Sequence, residues 1–362
     1  MKVNKVSYTN FRNIEKAEIV LHPGMNLLYG NNAEGKTNAL EGIYLCAQGR
    51  SHRTARERDY IRYGQEFARV VLDYEDALRP RQLELRYMKN GRKFCRKNGV
   101  PLQKMSQFIG NFRAVIFCPE YLSVVRDGPS ERRAFMDGAL SQLDPHYLLA
   151  LQRYQSALCQ RNKLLASYHF DPKSFKETGE LWAMQMAECG EILSFKRAEY
   201  MERVAKEVSL LFGEMTRGRE KPQLLYKSPR KKEEYMELFS KMEEREIKYG
   251  ASLVGIHKDE VEILLDDKPA RMFASQGQQR SIAVAMKLAE GTVSFEMTGE
   301  YPVFLLDDVL SELDEGRKRF VLSGLANRQV IITCCDEKDA EKIPEGQVIR
   351  VEKGQYQTIQ RG

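Results

Sequence analysis

Residues 25–37 read Met25-Asn26-Leu27-Leu28-Tyr29-Gly30-Asn31-Asn32-Ala33-Glu34-Gly35-Lys36-Thr37. A short apolar run ends at a loop with glycine at either side, and Thr37 to Ala47 then has helical spacing. Strand, glycine loop and helix in that order let successive backbone N–H groups form a nest at a helix N-terminus and hold phosphate. Gly30 and Gly35 supply the backbone freedom. Lys36 is placed to reach the β- and γ-phosphates of a nucleotide, and the Thr37 hydroxyl to ligate Mg²⁺. The competing reading of the same letters is a glycine-rich turn before an ordinary helix.

Two distant segments bear on that choice. Val303-Phe304-Leu305-Leu306 has the composition of a buried parallel strand, and Asp307-Asp308 stands at its carboxyl end, where open α/β sheets bind ligands. Asp307 is expected to hold Mg²⁺, commonly through water, and Asp308 to orient or deprotonate an attacking water. Ser311-Glu312-Leu313-Asp314 follows and opens a charged helix, with Ser311 and Asp314 fitting a capping box. Upstream, Ser275-Gln276-Gly277-Gln278-Gln279 precedes an apolar-rich helix from Ser281 to Glu290. A hydroxyl, a glycine and a helix N-terminus make a second anion site. One triphosphate does not need two such sites in one chain, so this one is read as serving the γ-phosphate held by a partner subunit. Its plain alternative is an N-capped helix.

A chain of 362 residues suits two lobes, and 42% hydrophobic residues suffice to fill them. The net charge of +6 is too small for a histone-like polycation, so a nucleic-acid site must be a local patch. The seven cysteines show neither C-x-x-C spacing nor a His-Cys cluster, which argues for reduced thiols and against a disulfide framework or a zinc site. With no apolar signal run at the start and no window near 18 apolar residues, a soluble cytoplasmic protein is expected.

Between the motifs, residues 69 to 100 read as antiparallel strands. Gln82 to Met88 alternates, Asn90-Gly91 signals a type I′ hairpin, and Asn98-Gly99 offers a second turn. Helical spacing runs from Pro145 to about Tyr168 and from Glu177 to Phe212, with Asp171-Pro172 as the turn. Together these predict an antiparallel helical hairpin of roughly 35–50 Å at 1.5 Å per residue. Strand-like text returns at Gln223 to Lys227, Val261 to Leu265, Val303 to Leu306 and Gln329 to Thr333. The expected organisation is an ATPase head built from both ends, residues 1–122 and 240–362, around a helical arm inserted at 123–239.

On these motifs the chain resembles the RecF family of bacterial DNA-repair proteins, within the ABC-type ATPases that include the SMC and RecN proteins. The resemblance spans essentially the whole chain. It also rests on Asn10-Phe11-Arg12-Asn13, on Asn38 after the loop, on Gly49-Arg50-Ser51-His52-Arg53-Thr54 and on Phe117-Cys118-Pro119-Glu120. Gly128-Pro129-Ser130-Glu131-Arg132-Arg133 and Gly255-Ile256-His257-Lys258-Asp259-Glu260 complete it. It implies an α/β fold: an ABC-type, SMC-like head with a mixed sheet and a phosphate loop, plus the α-helical arm. It also implies an ATP-dependent homodimer that binds duplex DNA and duplex–single-strand junctions and, with RecR and RecO, helps load RecA, with slow, DNA-stimulated hydrolysis resetting the dimer. By position, residues Gly30 to Asn38 hold ATP with Lys36 also catalytic, Thr37 and Asp307 hold Mg²⁺, and Asp308 serves water. Ser275, Gln276, Gly277 and Gln278 act in trans, Arg53 points towards nucleotide, and Asp314 belongs to a dimer-contact loop. Three positions depart from the wider ABC pattern. Cys118-Pro119-Glu120 stands where a glutamine is common, Asp308 where a glutamate is, and Ile331-Ile332-Thr333 where a switch histidine is.

Two basic clusters are candidates for phosphate contact: Arg50, Arg53, Arg56, Arg58 and Arg62, and Arg217, Arg219, Lys221, Lys227, Arg230, Lys231 and Lys232. Both also fit a solvated charged face. With no base-reading helix or zinc finger in the sequence, DNA binding is expected to be sequence-independent. The alternative function is the nucleotide-binding subunit of an ABC transporter, or another ATP-gated dimer without DNA.

Overall fold

The structure is a computed structural model and describes residues 1–54, 56–226, 229–335 and 346–359. Among these the strands are β1 (Lys2–Phe11), β2 (Ile14–Val20), β3 (Met25–Tyr29), β4 (Phe67–Glu75), β5 (Pro80–Met88), β6 (Lys93–Lys97), β7 (Val100–Leu102) and β8 (Ala114–Phe117). They continue with β9 (Pro222–Tyr226), β10 (Val261–Leu265), β11 (Lys268–Pro269), β12 (Val303–Asp307), β13 (Val330–Cys334), β14 (Gln347–Glu352) and β15 (Gln355–Ile359). The helices are α1 (Lys36–Gln48), α2 (Ser123–Arg126), α3 (Pro129–Leu143), α4 (Pro145–Ser167), α5 (Pro172–Thr216), α6 (Lys232–Tyr249), α7 (Ala270–Phe273), α8 (Gln276–Thr298) and α9 (Glu315–Gly324). None is long and apolar enough to cross a membrane.

Met1–Leu122 and Arg280–Gly362 form one compact unit. One of its sheets is antiparallel throughout, in the order β2-β1-β4-β5-β6-β7. The other is mixed, in the order β15-β14-β3-β13-β12-β8, with β15 the antiparallel edge. Every residue of β12 and β13 is buried, as expected of near-continuous apolar runs covered on both faces. In β5, by contrast, Leu83, Leu85 and Tyr87 are buried while their neighbours stay half-exposed, which puts one face of the antiparallel sheet in the core. Helix α1 packs on strands of both sheets, so Val6, Tyr8, Leu40, Ile43, Leu72, Leu305 and Ile331 share one apolar core.

Both expected turns exist, but they differ. Asn98 and Gly99 both have positive φ (50° and 78°), as a type I′ turn requires. At the other turn Gly91 alone has a positive φ (83°). Asn90 instead accepts the Arg92 N–H on Oδ1 at 3.0 Å, an Asx-type turn that replaces the expected I′ geometry.

Ser123–Gln279 form the second unit. Helices α4 and α5 pack side by side, and α5 runs 45 residues, about 68 Å at 1.5 Å per residue. It starts at Pro172 rather than at Glu177 because Asp171 accepts the Ser174 N–H at 3.1 Å and the proline takes the first helical position. A division at 239/240 would cut through α6, and this unit continues to Gln279. Strands β9, β10 and β11 form its small sheet. The stretch Gly255 to Glu260 is here an internal brace. Asp259 pairs with Arg197 at 3.0 Å and Glu260 with Arg132 at 2.7 Å, while His257 hydrogen-bonds the Tyr154 hydroxyl at 2.7 Å. Arg161 and Glu246 form a further ion pair at 2.6 Å with almost no exposure, and charges buried this deeply persist only when paired.

Candidate functional site

In the first unit the loop after β3 is already curled. Lys36 is 6% exposed, and its Nζ donates to the Gly30 carbonyl at 2.6 Å and the Asn31 carbonyl at 2.8 Å, with Cys335 Sγ at 3.7 Å. A Cβ on Gly30 would lie 2.2 Å from the Val351 carbonyl oxygen, so β14 closes on the loop as far as glycine permits. Gly35 has φ 115° and caps α1, and its carbonyl accepts the Tyr356 hydroxyl at 2.9 Å. Ala33 is left-handed (φ 68°), and its carbonyl accepts Asn13 Nδ2 at 3.1 Å. Asn32 Oδ1 accepts from Cys335 at 2.9 Å, and the Glu34 carboxylate accepts the Lys353 N–H.

Parallel pairing sets Asp307 of β12 beside Thr333 of β13, and Cys334 beside Tyr29 of β3. The carboxyl ends of three strands therefore meet at the loop. Asp307 Oδ1 accepts the Thr37 and Thr333 hydroxyls, each at 2.8 Å, and the Thr333 Oγ1 accepts the Asp308 N–H at 3.0 Å. Asp308 is left-handed, with φ 52°. A buried carboxylate flanked by hydroxyls is a hard oxygen donor set, which fits Mg²⁺. Among the described residues no group of three or more His, Cys, Asp or Glu side chains could hold a metal, so a cation here would take its remaining ligands from phosphate and water.

The expected capping box after the acidic pair is corrected by the geometry. Ser311 Oγ donates back to the Asp308 carbonyl at 2.7 Å, and Asp314 is itself the cap of α9, accepting the Arg317 N–H at 2.9 Å. The chain turns once more between the two residues, so the helix begins at Glu315.

Arg53 donates to Asn38 Oδ1 at 2.9 Å and lies 3.5 Å from Glu41, a fully buried carboxylate also clasped by Arg12 at 2.6 Å. Neither Glu41 nor His52 was singled out as a site residue from the sequence. Both ring nitrogens of His52 are buried with no hydrogen-bond partner among the described residues, and burial lowers its pKa against the pull of Glu41, Asp307 and Glu120. The available signal was a histidine inside Gly49 to Thr54, close in sequence to Glu41.

Ser275, Gln276, Gly277 and Gln278 lie in the second unit. The Gln278 N–H reaches Ser275 Oγ at 3.3 Å, and Gln278 Oε1 accepts the Ser275 N–H at 2.6 Å. This is a reciprocal cap on α8 that leaves Ser275 and Gln276 exposed. In the first basic cluster Arg50, Arg56 and Arg58 are exposed, whereas Arg62 pairs with Glu15 at 2.8 Å. In the second, Arg217, Arg219, Lys221 and Lys231 are exposed and Lys232 pairs with Glu188 at 2.6 Å, while Lys227 lies outside the described residues.

The sequence profile of the RecF/RecN/SMC N terminal domain matches residues 2–360. The DNA replication and repair protein RecF of Acetivibrio thermocellus is 35% identical over 366 residues, covering 98% of this chain and 99% of the relative. That of Ligilactobacillus salivarius is 35% identical over 98% of this chain and 97% of its own. A solved structure of the recombination mediator protein RecF with ATP, in the RecFOR pathway, superposes with TM-score 0.90 at 31% identity, over 99% of this chain and 98% of that one. An SMC head domain from Pyrococcus furiosus shares the fold, with TM-score 0.58 at 16% identity over 99% of this chain and 96% of its own.

Proposed function

The chain belongs to the RecF family of RecF/RecN/SMC proteins, and from that premise we propose that it is an ATP-gated DNA clamp of replication and recombinational repair. The observation that supports this most is the hydrogen-bonded chain Thr37–Asp307–Thr333–Asp308 beside the curled Lys36 loop. Residues Gly30 to Asn38 cradle the triphosphate, and Lys36 exchanges its carbonyl partners for phosphate oxygens. Thr37 and Asp307 hold Mg²⁺, which neutralises charge on the phosphates when bound. Asp308 orients or deprotonates the attacking water, its backbone fixed by Thr333. Arg53, tethered by Asn38 and Glu41, turns its guanidinium to the nucleotide.

The exposed Ser275, with Gln276, Gly277 and Gln278, completes the site of a second copy across an ATP-bridged homodimer. Closing the dimer on duplex DNA or a duplex–single-strand junction brings exposed arginines and lysines to phosphate without base readout, and slow, DNA-stimulated hydrolysis reopens it. RecR and RecO are the partners on this reading, and RecA loading is the outcome served.

Fluorescence anisotropy of labelled duplex DNA, with and without ATP and Mg²⁺ across a salt series, tests the clamp. Affinity should rise with ATP and fall steeply with salt. DNA binding that is the same with and without ATP at every salt concentration would remove the ATP gate. No binding under any condition would leave an ATP-gated dimer without a DNA role. Ser275→Arg should bind ATP yet stay monomeric by light scattering, and a normal ATP-dependent dimer would remove the in-trans assignment.

A further inference from the structure

The outer face of the antiparallel sheet has a row of side chains that the nucleotide site does not use. Register places Phe67 opposite Met88, Arg69 opposite Arg86, and Arg86 opposite Phe94. The neighbouring rung is Val71, Glu84 and Arg96. Since Leu83, Leu85 and Tyr87 are buried in the core, the alternate residues of β5 and their cross-strand partners stand on the opposite face.

The Arg86 guanidinium lies over the Phe67 ring, 4.2 Å from its centroid, and its Nε is buried with no hydrogen-bond partner among the described residues. Phe94, next across the ladder, is 52% exposed. Glu84, the carboxylate of the row, accepts from Arg69 at 2.7 Å and lies 4.0 Å from Arg96. Three arginines therefore face one acid, and two phenylalanines flank the central arginine. Core packing does not call for a large aromatic side chain that leaves half its surface in water on a solvent-facing rung.

We infer that this face binds single-stranded nucleic acid, stacking bases on Phe94 and on the flat guanidinium of Arg86 while Arg69 and Arg96 neutralise phosphates. The chemistry selects a single strand because bases in a duplex are stacked on one another and offer no free face to a phenyl ring. Cation and ring together fit a polyanion with aromatic bases and select for no particular base. The inference rests on the DNA-binding reading above and adds to it the surface that takes an unpaired strand. At a junction, this face would hold the unpaired strand.

The test uses the full chain, a fluorescein-labelled oligo(dT), and a labelled duplex of the same length, read by anisotropy at fixed salt. Phe94→Ala removes an exposed side chain, and thermal melting checks that the fold is kept. Its oligo(dT) affinity should fall about tenfold, with duplex affinity within about twofold of the parent, and Phe94→Tyr should restore oligo(dT) binding. Arg86→Ala should weaken oligo(dT) in the same direction. Equal oligo(dT) affinity in Phe94→Ala and the parent overturns the inference, as does a parent that binds no oligo(dT) or a loss of equal size on duplex. If the parent binds no duplex yet binds oligo(dT) in a Phe94-dependent way, the clamp reading fails and the single-strand site stands.

Discussion

Replacing Thr333 by valine isolates the contact on which the acidic pair depends. Thr333 is 1% exposed; its hydroxyl donates to Asp307 Oδ1 at 2.8 Å and accepts the Asp308 N–H at 3.0 Å. Valine has nearly the same volume, so no cavity opens, and the change is the loss of the hydroxyl. A hydrogen bond to a carboxylate contributes about 1.5–3 kcal/mol, and stranding the part-buried Asp308 N–H costs about 1 kcal/mol more. The expected destabilisation is therefore about 3 kcal/mol. The kinetic consequence comes through Asp308. Its left-handed backbone (φ 52°) costs about 1–2 kcal/mol, and the N–H bond to Thr333 helps hold it there. Released, Asp308 moves from its place, and kcat for ATP should fall about tenfold, equivalent to 1.4 kcal/mol of barrier. ATP affinity should stay within about twofold, because Lys36 is held by the Gly30 and Asn31 carbonyls and Thr37 keeps its own bond to Asp307. Thr333→Ser, which keeps the hydroxyl, should preserve most of the turnover. Single-turnover hydrolysis, titration with a fluorescent ATP analogue and thermal unfolding give the three readouts. A Thr333→Val protein with parental turnover and parental melting temperature would refute the positioning role.

Gly30→Ala should weaken binding of a fluorescent ATP analogue by tenfold or more. The new Cβ would meet the Val351 carbonyl at 2.2 Å, so β14 or the loop must shift; unchanged affinity would show that the loop tolerates the shift. His257 is pushed down to about 4 from an ordinary 6.5, chiefly by burial. Between those values the unfolded chain binds more protons than the folded one, so this contribution is intact above pH 6.5 and is lost as pH falls towards 4. The loss should reach about 2 kcal/mol by pH 5. Denaturant unfolding at pH 7 and pH 5 should show a smaller acid loss in His257→Gln than in the parent, and equal losses would exclude this histidine as the source.

What the sequence alone determined is what depends on near neighbours. Gly30 to Thr37 declares a curled loop opening into a helix because the curl and the helix start are set within a few residues. Val303 to Asp308 declares a buried strand with acids at its end because burial on both faces demands a continuous apolar run. The Asn98-Gly99 turn was legible for the same reason, since its backbone angles belong to those two residues. Where a side chain could satisfy the backbone in more than one way, local reading did not single out the bond that forms. Asn90 makes an Asx-type turn in place of the expected type I′ turn, and Asp314 rather than Ser311 caps α9. Tertiary structure alone decided which distant groups meet. Thr333 supports Asp307 and Asp308 because β12 and β13 pair in parallel at that register. Arg12 and Arg53 converge on Glu41 through folding of β1, α1 and the segment after α1. The Phe67–Arg86–Phe94 row exists only once β4, β5 and β6 align. The physical reason is that strand register and helix packing are set by how the whole core fills, and no short window of sequence contains that information.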